Sequence, residues 1–195
     1  MLTTMIKRRI ELDVDKIIEK GEEVLNKELA GFDFQMKARK AYFHGTDKTN
    51  RPVFYINVKI HEPKQQTFEV LRTFTIYNME IGRMLLAPPT YQNCLIFDMT
   101  DFGLKNMDWL FIQFLVKAFE AYYPETLGML AIHKAPWIFS GIWKVLRPLM
   151  DPVVANRVVF IRSDEQLLEY INVGQLPKCK SIMLWSTIAM SSINT

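Results

Sequence analysis

Between Asn93 and Arg162 three short apolar runs, NCLIFDM, MLAIHKA and RVVFIR, alternate with longer stretches of helical periodicity. The runs are too short for helices. They also lack the polar–apolar alternation of a strand with one wet face, so they read as strands covered on both sides. Parallel neighbours need a crossover long enough to hold a helix. The pattern therefore predicts an α/β domain, a mostly parallel β-sheet flanked by helices.

The rest of the chain fits around that sheet. Val14, Ile17, Ile18, Gly21, Val24, Leu25 and Leu29 recur at three- and four-residue steps, which predicts a helix capped by Asp13 and ended at Gly31. AYFHGTDKTNRPVFYINVKI reads as strand, turn, strand around the polar cluster 45–51. A helix from about Gln66 to Leu86 is stopped by Pro88 and Pro89. MDWLFIQFLVKAFEAYY is a helix apolar over most of its circumference and ends before Pro124, and DEQLLEYI is a short last helix. The chain shows no internal repeat and no low-complexity segment.

Composition narrows the function. With 195 residues, 49% hydrophobic and 23% charged, the chain can bury a single sizeable core. Its 13 Phe and 11 Met suit either a large core or a soft apolar cavity. A net charge of +3 is too mild for the basic stripe of a nucleic-acid binder, and no nucleic-acid partner is expected. Cys94 and Cys179 alone make neither a disulfide framework nor a metal set, which favours a reducing, cytosolic compartment. MLTTMIKRRI has no signal-peptide core, and no run approaches about 20 apolar residues, the length that spans a membrane.

A search for catalytic chemistry returns nothing. The glycines never fall as G-x-G-x-x-G, and Walker A and G-x-S-x-G motifs are absent. Cys94 lies in an apolar strand rather than an anion loop. His44, His61 and His133 lack metal-ligand spacing, and His133, inside a strand, reads as a hydrogen-bonded structural residue. Asp98 and Asp101, at a strand end, read as loop caps rather than an acid–base pair. No catalytic residue, metal or cofactor is expected.

One stretch resists an ordinary reading. In APWIFSGIWKVLRPLMDPVVANRVVF, residues 135–160, the first half is too apolar all round for a surface helix and too short and charged to cross a bilayer. Phe139, Ile142, Trp143, Leu146 and Met150 follow helical spacing and share one face, while Lys144 and Arg147 lie on another.

Together with HGTDKTNRPVFYINV, YYPETLG and YINVGQLP, in that order along the chain, this stretch resembles the CRAL-TRIO lipid-binding domain. Within it the likeness is to the fungal Sec-fourteen-like phosphatidylinositol transfer proteins, over about residues 40–177. The resemblance implies a sheet floored by helices, a lipid cavity on its other face, and a mobile amphipathic gate helix in the place of Trp137–Met150. The apolar face of that helix would close the cavity, with Lys144 and Arg147 suited to anionic headgroups at a membrane surface. Glu125 falls on the family's headgroup glutamate. Arg157, in DPVVANR, falls on its headgroup lysine, keeping the charge with a different geometry. On the strand where exchange proteins carry hydroxyl groups for phosphatidylcholine, Asn93 and Leu95 fall at those positions, so the resemblance does not extend to a choline site of that kind. Leu95 and Phe97 present apolar side chains instead. They leave an apolar surface that a sterol, squalene or another neutral lipid would suit.

The implied organisation is a remnant of an N-terminal helical module at residues 1–39, a lipid-binding domain at 40–178 and an atypical tail at 179–195. Ile182–Met190 suits a membrane-surface tail or a fragment end. The implied partners are one phospholipid, phosphatidylinositol first, and a transient membrane surface. The protein is expected to be a monomer, cytoplasmic and peripheral to endoplasmic-reticulum, Golgi or endosomal membranes. Three classes compete: lipid exchange or presentation, a tethering module with a structural lipid, and an enzyme, which the missing chemistry disfavours.

Overall fold

The computed structural model describes residues 2–123 and 125–177; the expectations for 179–195 and Ile182–Met190 lie outside them. Five strands form one sheet in the spatial order of the sequence: β1 (Ala41–Thr46), β2 (Pro52–Asn57), β3 (Asn93–Asp98), β4 (Leu127–His133) and β5 (Val158–Ile161). β1 and β2 are the antiparallel hairpin, and every later neighbour is parallel. The hairpin turn closes on Asp47. Its Oδ1 accepts from Thr49 N at 2.9 Å and Arg51 N at 2.9 Å, while Arg51 Nε donates to Oδ2 at 2.6 Å.

Alternation along the strands builds two unlike faces. Tyr55, Cys94, Ile96, Ala131 and Ile161 point to one face, which is sealed by Leu167, Ile171 and Leu176 from α8 (Asp164–Leu167) and the chain after it. Leu95, Phe97, Leu130 and Ile132 point to the other. That second face carries the crossover helices α4 (Phe68–Met84) and α5 (Trp109–Lys117), and the helix α6 (Phe139–Leu146). The resemblance put the cavity on the face away from the helices. The correction is that cavity and crossover helices share a face, as crossovers of one hand produce when the strand order never reverses.

Outside α4 lies a further layer. α1 (Leu2–Glu11), α2 (Val14–Glu28) and α3 (Phe32–Lys37) pack Val14, Ile17, Leu25 and Phe32 against Phe74, Ile76 and Phe114. Arg9 clamps this layer with a 2.6 Å ion pair to Glu80, which is itself almost wholly buried and also meets Arg83 at 2.9 Å. Burial works against ionising Glu80, yet the two guanidinium groups outweigh it and hold its carboxyl below the usual range.

Several boundaries differ from the sequence reading. The helix expected to start at an Asp13 cap does start there, but Asp13 has φ 52° and no capping bond; its carboxylate pairs with Lys16 at 2.7 Å instead. Gly21, at φ 64°, breaks that helix midway, a conformation that costs glycine little. α4 begins at a Thr67 cap as a true helix N-terminus, within two residues of the expected start. α5 widens into a π turn at Ala118–Tyr122, with Tyr123 N bonded back to Ala118 O.

Candidate functional site

The gate segment is shorter as an α-helix than the periodicity implies. α6 spans Phe139–Leu146 and passes into a 3-10 turn at Arg147–Leu149, because Pro148 has no N–H to continue the α-helical ladder. The intended face nevertheless turns inward. Phe139 and Leu146 are buried, and with Trp143 and Met150 they wall a cavity of about 140 Å³ against Phe97 and Ile132. Ile142 packs into the same apolar cluster without lining the void. Aromatic edges fix the seal: Trp143 meets Phe160 at 5.2 Å between centroids, and Phe139 meets Phe102 at 6.1 Å.

A second chamber of about 70 Å³ opens deeper, over Leu95 and between Phe43, Phe54, Phe74 and Met79. The two chambers share Lys40, Ile56, Phe97, Phe111, Leu115 and Phe119 as wall. Six of the seven cavity residues named from sequence (Leu95, Phe97, Phe139, Trp143, Leu146 and Met150) therefore line one or the other chamber. α5 supplies much of the rest through Phe111 and Leu115, with Phe119 on the π turn beyond it. This explains why its sequence is apolar over so much of its circumference: one side meets the N-terminal helices and the other the void.

The outward side of the gate is apolar too. Trp137 is 87% exposed, and Val145, Leu149 and Val153 are each more than half exposed. Lys144 and Arg147 stand exposed among them. A segment with an apolar inner face, an apolar outer patch and two cations is what made residues 135–150 look wrong for an ordinary surface helix.

Glu125 and Arg157 lie elsewhere, at the end of the sheet where β4 and β5 begin. Glu125 is exposed, with φ 67°, and lines an open polar cleft with Arg51, Tyr91 and Gln92. Arg157 follows α7 (Pro152–Ala155), which Asp151 caps through Val153 N at 2.8 Å, and its guanidinium donates to Leu127 O. The structure thus brings the two residues to one edge. They form no ion pair with each other among the described residues, and neither lines the apolar chambers. The glycine of YYPETLG has a local cause: a Cβ on Gly128 would come within 2.7 Å of Arg51 Cδ.

The sequence reading missed a polar chain in the apolar wall. Lys40, 4% exposed, donates from Nζ to Gln35 Oε1 at 2.9 Å. Gln35 Nε2 donates to Gln66 Oε1 at 2.8 Å, Gln66 Nε2 meets His61 Nδ1 at 3.4 Å, and His61 Nε2 meets Asp108 Oδ2 at 3.2 Å. Asp108 also caps α5 through Phe111 N at 3.0 Å. Burial brings the Lys40 ammonium down to about 8, with Asp108 pulling the other way. Burial and then the Lys40 charge hold His61 down to about 4 against Asp108, so its ring is neutral at pH 7 and Nε2 carries the proton. Asp108 was legible as a helix cap before WLFIQF. Lys40 was not, since a lysine ahead of a strand looks like any surface residue.

His133 is fully buried with Nε2 3.1 Å from Asp164 Oδ1 and Nδ1 3.6 Å from Asp98 Oδ1. Asp98 Oδ1 accepts from Thr100 N at 3.1 Å, a strand-end loop cap. Cys94 is buried, and burial pushes its thiol up to about 12. Among the described residues no three potential metal-ligating side chains converge, and no helix is long and apolar enough to cross a membrane.

With this geometry in place, the comparisons decide the family. The sequence profile of the CRAL/TRIO domain matches residues 36–179. The chain belongs to the CRAL/TRIO domain family. A CRAL-TRIO domain-containing protein of Schizosaccharomyces pombe is 39% identical over 88% of this chain and 38% of its own length. Phosphatidylinositol transfer protein CSR1 of Eremothecium gossypii is 36% identical over 82% of this chain and 36% of its own. The chain thus spans well under half the length of these two relatives. The crystal structure of Sfh5 superposes with a TM-score of 0.68 at 18% identity, covering 86% of this chain and 61% of that one. At that identity it speaks for the fold alone: a five-stranded, mostly parallel sheet with flanking helices is a CRAL/TRIO architecture.

Proposed function

We propose that this CRAL/TRIO domain binds one hydrophobic lipid, a phospholipid with phosphatidylinositol favoured, and transfers or presents it at membranes without covalent catalysis. The observation that carries this reading is the pair of adjacent apolar chambers, the larger roofed by α6. Kinship with a phosphatidylinositol transfer protein supports it. At about 140 and 70 Å³ the chambers are smaller than the roughly 300–1,000 Å³ of an ordinary ligand site, so a lipid enters only if α6 swings away. Eight residues of helix between Pro136 and Pro148 form a short unit for such a motion, and its outer patch of Trp137, Val145 and Leu149 with Lys144 and Arg147 suits contact with an anionic bilayer.

Glu125 and Arg157 are the proposed headgroup contacts, at the sheet end where β4 and β5 begin. An arginine holds a phosphate in two places, and its present bond to Leu127 O uses one of five donors. In the same reading the helices of residues 2–39 form a separate layer packed on the lipid-binding domain, and the protein is a cytoplasmic monomer, transiently peripheral to internal membranes.

The test is mass spectrometry of lipids that copurify with the chain and with a Glu125→Ala, Arg157→Ala variant. Phosphatidylinositol in the first and its loss from the second supports the reading. A neutral lipid unaffected by the variant keeps the cavity and discards the headgroup pair. No lipid in a folded sample, with vesicle binding intact, favours the tethering module.

A further inference from the structure

The polar chain in the cavity wall has no place in the headgroup site, which lies at the other end of β4. Its geometry is directional. Neutral His61 keeps its proton on Nε2 toward Asp108, takes the Gln66 amide on Nδ1, and so fixes Gln66 Oε1 as acceptor for Gln35. Gln35 must then present its own oxygen to Lys40. An ammonium has three N–H donors, and Gln35 meets one of them. The nearby carboxylate, Asp108, is committed to His61 and to the first turn of α5, and it forms no ion pair with Lys40 among the described residues. The result is a buried cation, on a residue that walls both apolar chambers, held by one neutral acceptor, an arrangement that burial penalises unless an anion completes it. Nothing in the packing requires a charge there: Ile56, Phe97, Phe111 and Leu115 surround the same walls.

We infer that Lys40 is an interior anchor for a singly charged carboxylate on a long apolar chain, a fatty acid or similar amphiphile, lying with its tail in the chambers beneath α6. The inference rests on the reading of the cavity as a lipid site and adds a ligand class distinct from a phospholipid with its headgroup at Glu125 and Arg157. The second negative charge of a phosphate monoester is disfavoured because Asp108 stands nearby. The aliphatic stem of Lys40 lets the chamber walls stay apolar up to the charged end.

The experiment uses the full chain, delipidated, and two fluorescent probes of equal length: cis-parinaric acid and its methyl ester. At pH 7 the acid is expected to bind at least about tenfold tighter than the ester, the worth of one buried charge-assisted contact. Lys40→Met should lose that discrimination by weakening the acid, leaving the ester within about threefold, and Lys40→Arg should restore part of it. Equal affinity of wild type for acid and ester overturns the inference without any variant. Equal weakening of both probes by Lys40→Met also overturns it, by showing a purely structural lysine. If neither probe binds while phosphatidylinositol copurifies, the anchor is wrong and the cavity reading stands. If no lipid of any kind enters the folded chain, the cavity reading itself falls.

Discussion

The two faces of the sheet are built from neighbouring residues of the same strands, yet one is solid and the other hollow. On the solid face Cys94, Ile96 and Ala131 are completely buried under Leu167, Ile171 and Leu176, beside the buried Tyr55. On the hollow face Leu95, Phe97 and Ile132 meet long aromatic residues from α5 and α6, which cannot interdigitate fully, and two chambers remain. The difference teaches where stability and function divide. The solid face holds the fold together, and the hollow face forgoes packing and leaves the space that the proposed lipid would occupy.

The division breaks most visibly at Ile96. Ile96→Ala should cost about 4 kcal/mol in urea unfolding, since the void it leaves has no route to collapse. The fraction of folded protein that carries lipid should not change. If lipid content falls with the fold intact, the faces are not independent.

Titration sharpens the contrast. His61, on the hollow side, has its folded value near 4 against an ordinary 6.5. Between those values the unfolded chain binds the proton and the folded chain does not, so stability falls as pH drops from about 6.5 toward 4, by up to about 3 kcal/mol. Glu80, held low by its arginines, adds to the acid loss as pH falls through its own range. Cys94, on the solid side, works at the other end: its raised value makes stability fall only as pH climbs above 9.0. Thermal melts from pH 7 to 4 should show the acid loss, and His61→Asn should flatten it. An unchanged slope in that variant would remove the neutral buried ring from the account.

The smallest expected effect on stability belongs to filling the hollow. Leu115 lines both chambers, and Leu115→Trp should shift stability by only about 1 kcal/mol or less, because the indole enters existing space. The same change should abolish copurifying lipid. A destabilisation as large as that of Ile96→Ala would mean the chambers are not available volume.

Much of this division was legible in the one-dimensional pattern. Continuous apolar runs announced strands covered on both sides, and the spacing of Phe139, Trp143, Leu146 and Met150 put one stripe on the gate. Those four side chains do reach the void. Pro88 and Pro89 stopped α4 where expected, because a missing N–H acts locally. The same local rule at Pro148 shortened the gate, but amphipathic spacing had already suggested a longer helix.

What the sequence by itself determined was the element order, the parallel sheet and the inward stripe of the gate, all consequences of periodicity and of steric rules that act within a few residues. Tertiary structure decided which sheet face is hollow, that α5 rather than the strands supplies most of the far wall, and that Lys40, Gln35, Gln66, His61 and Asp108 form one polar chain. Those five residues span positions 35 to 108, and no local pattern links them. Only the folding of α3, the β1–β2 hairpin and the start of α5 around one cavity brings their charges and hydrogen bonds within reach, in a medium where burial makes each of them count.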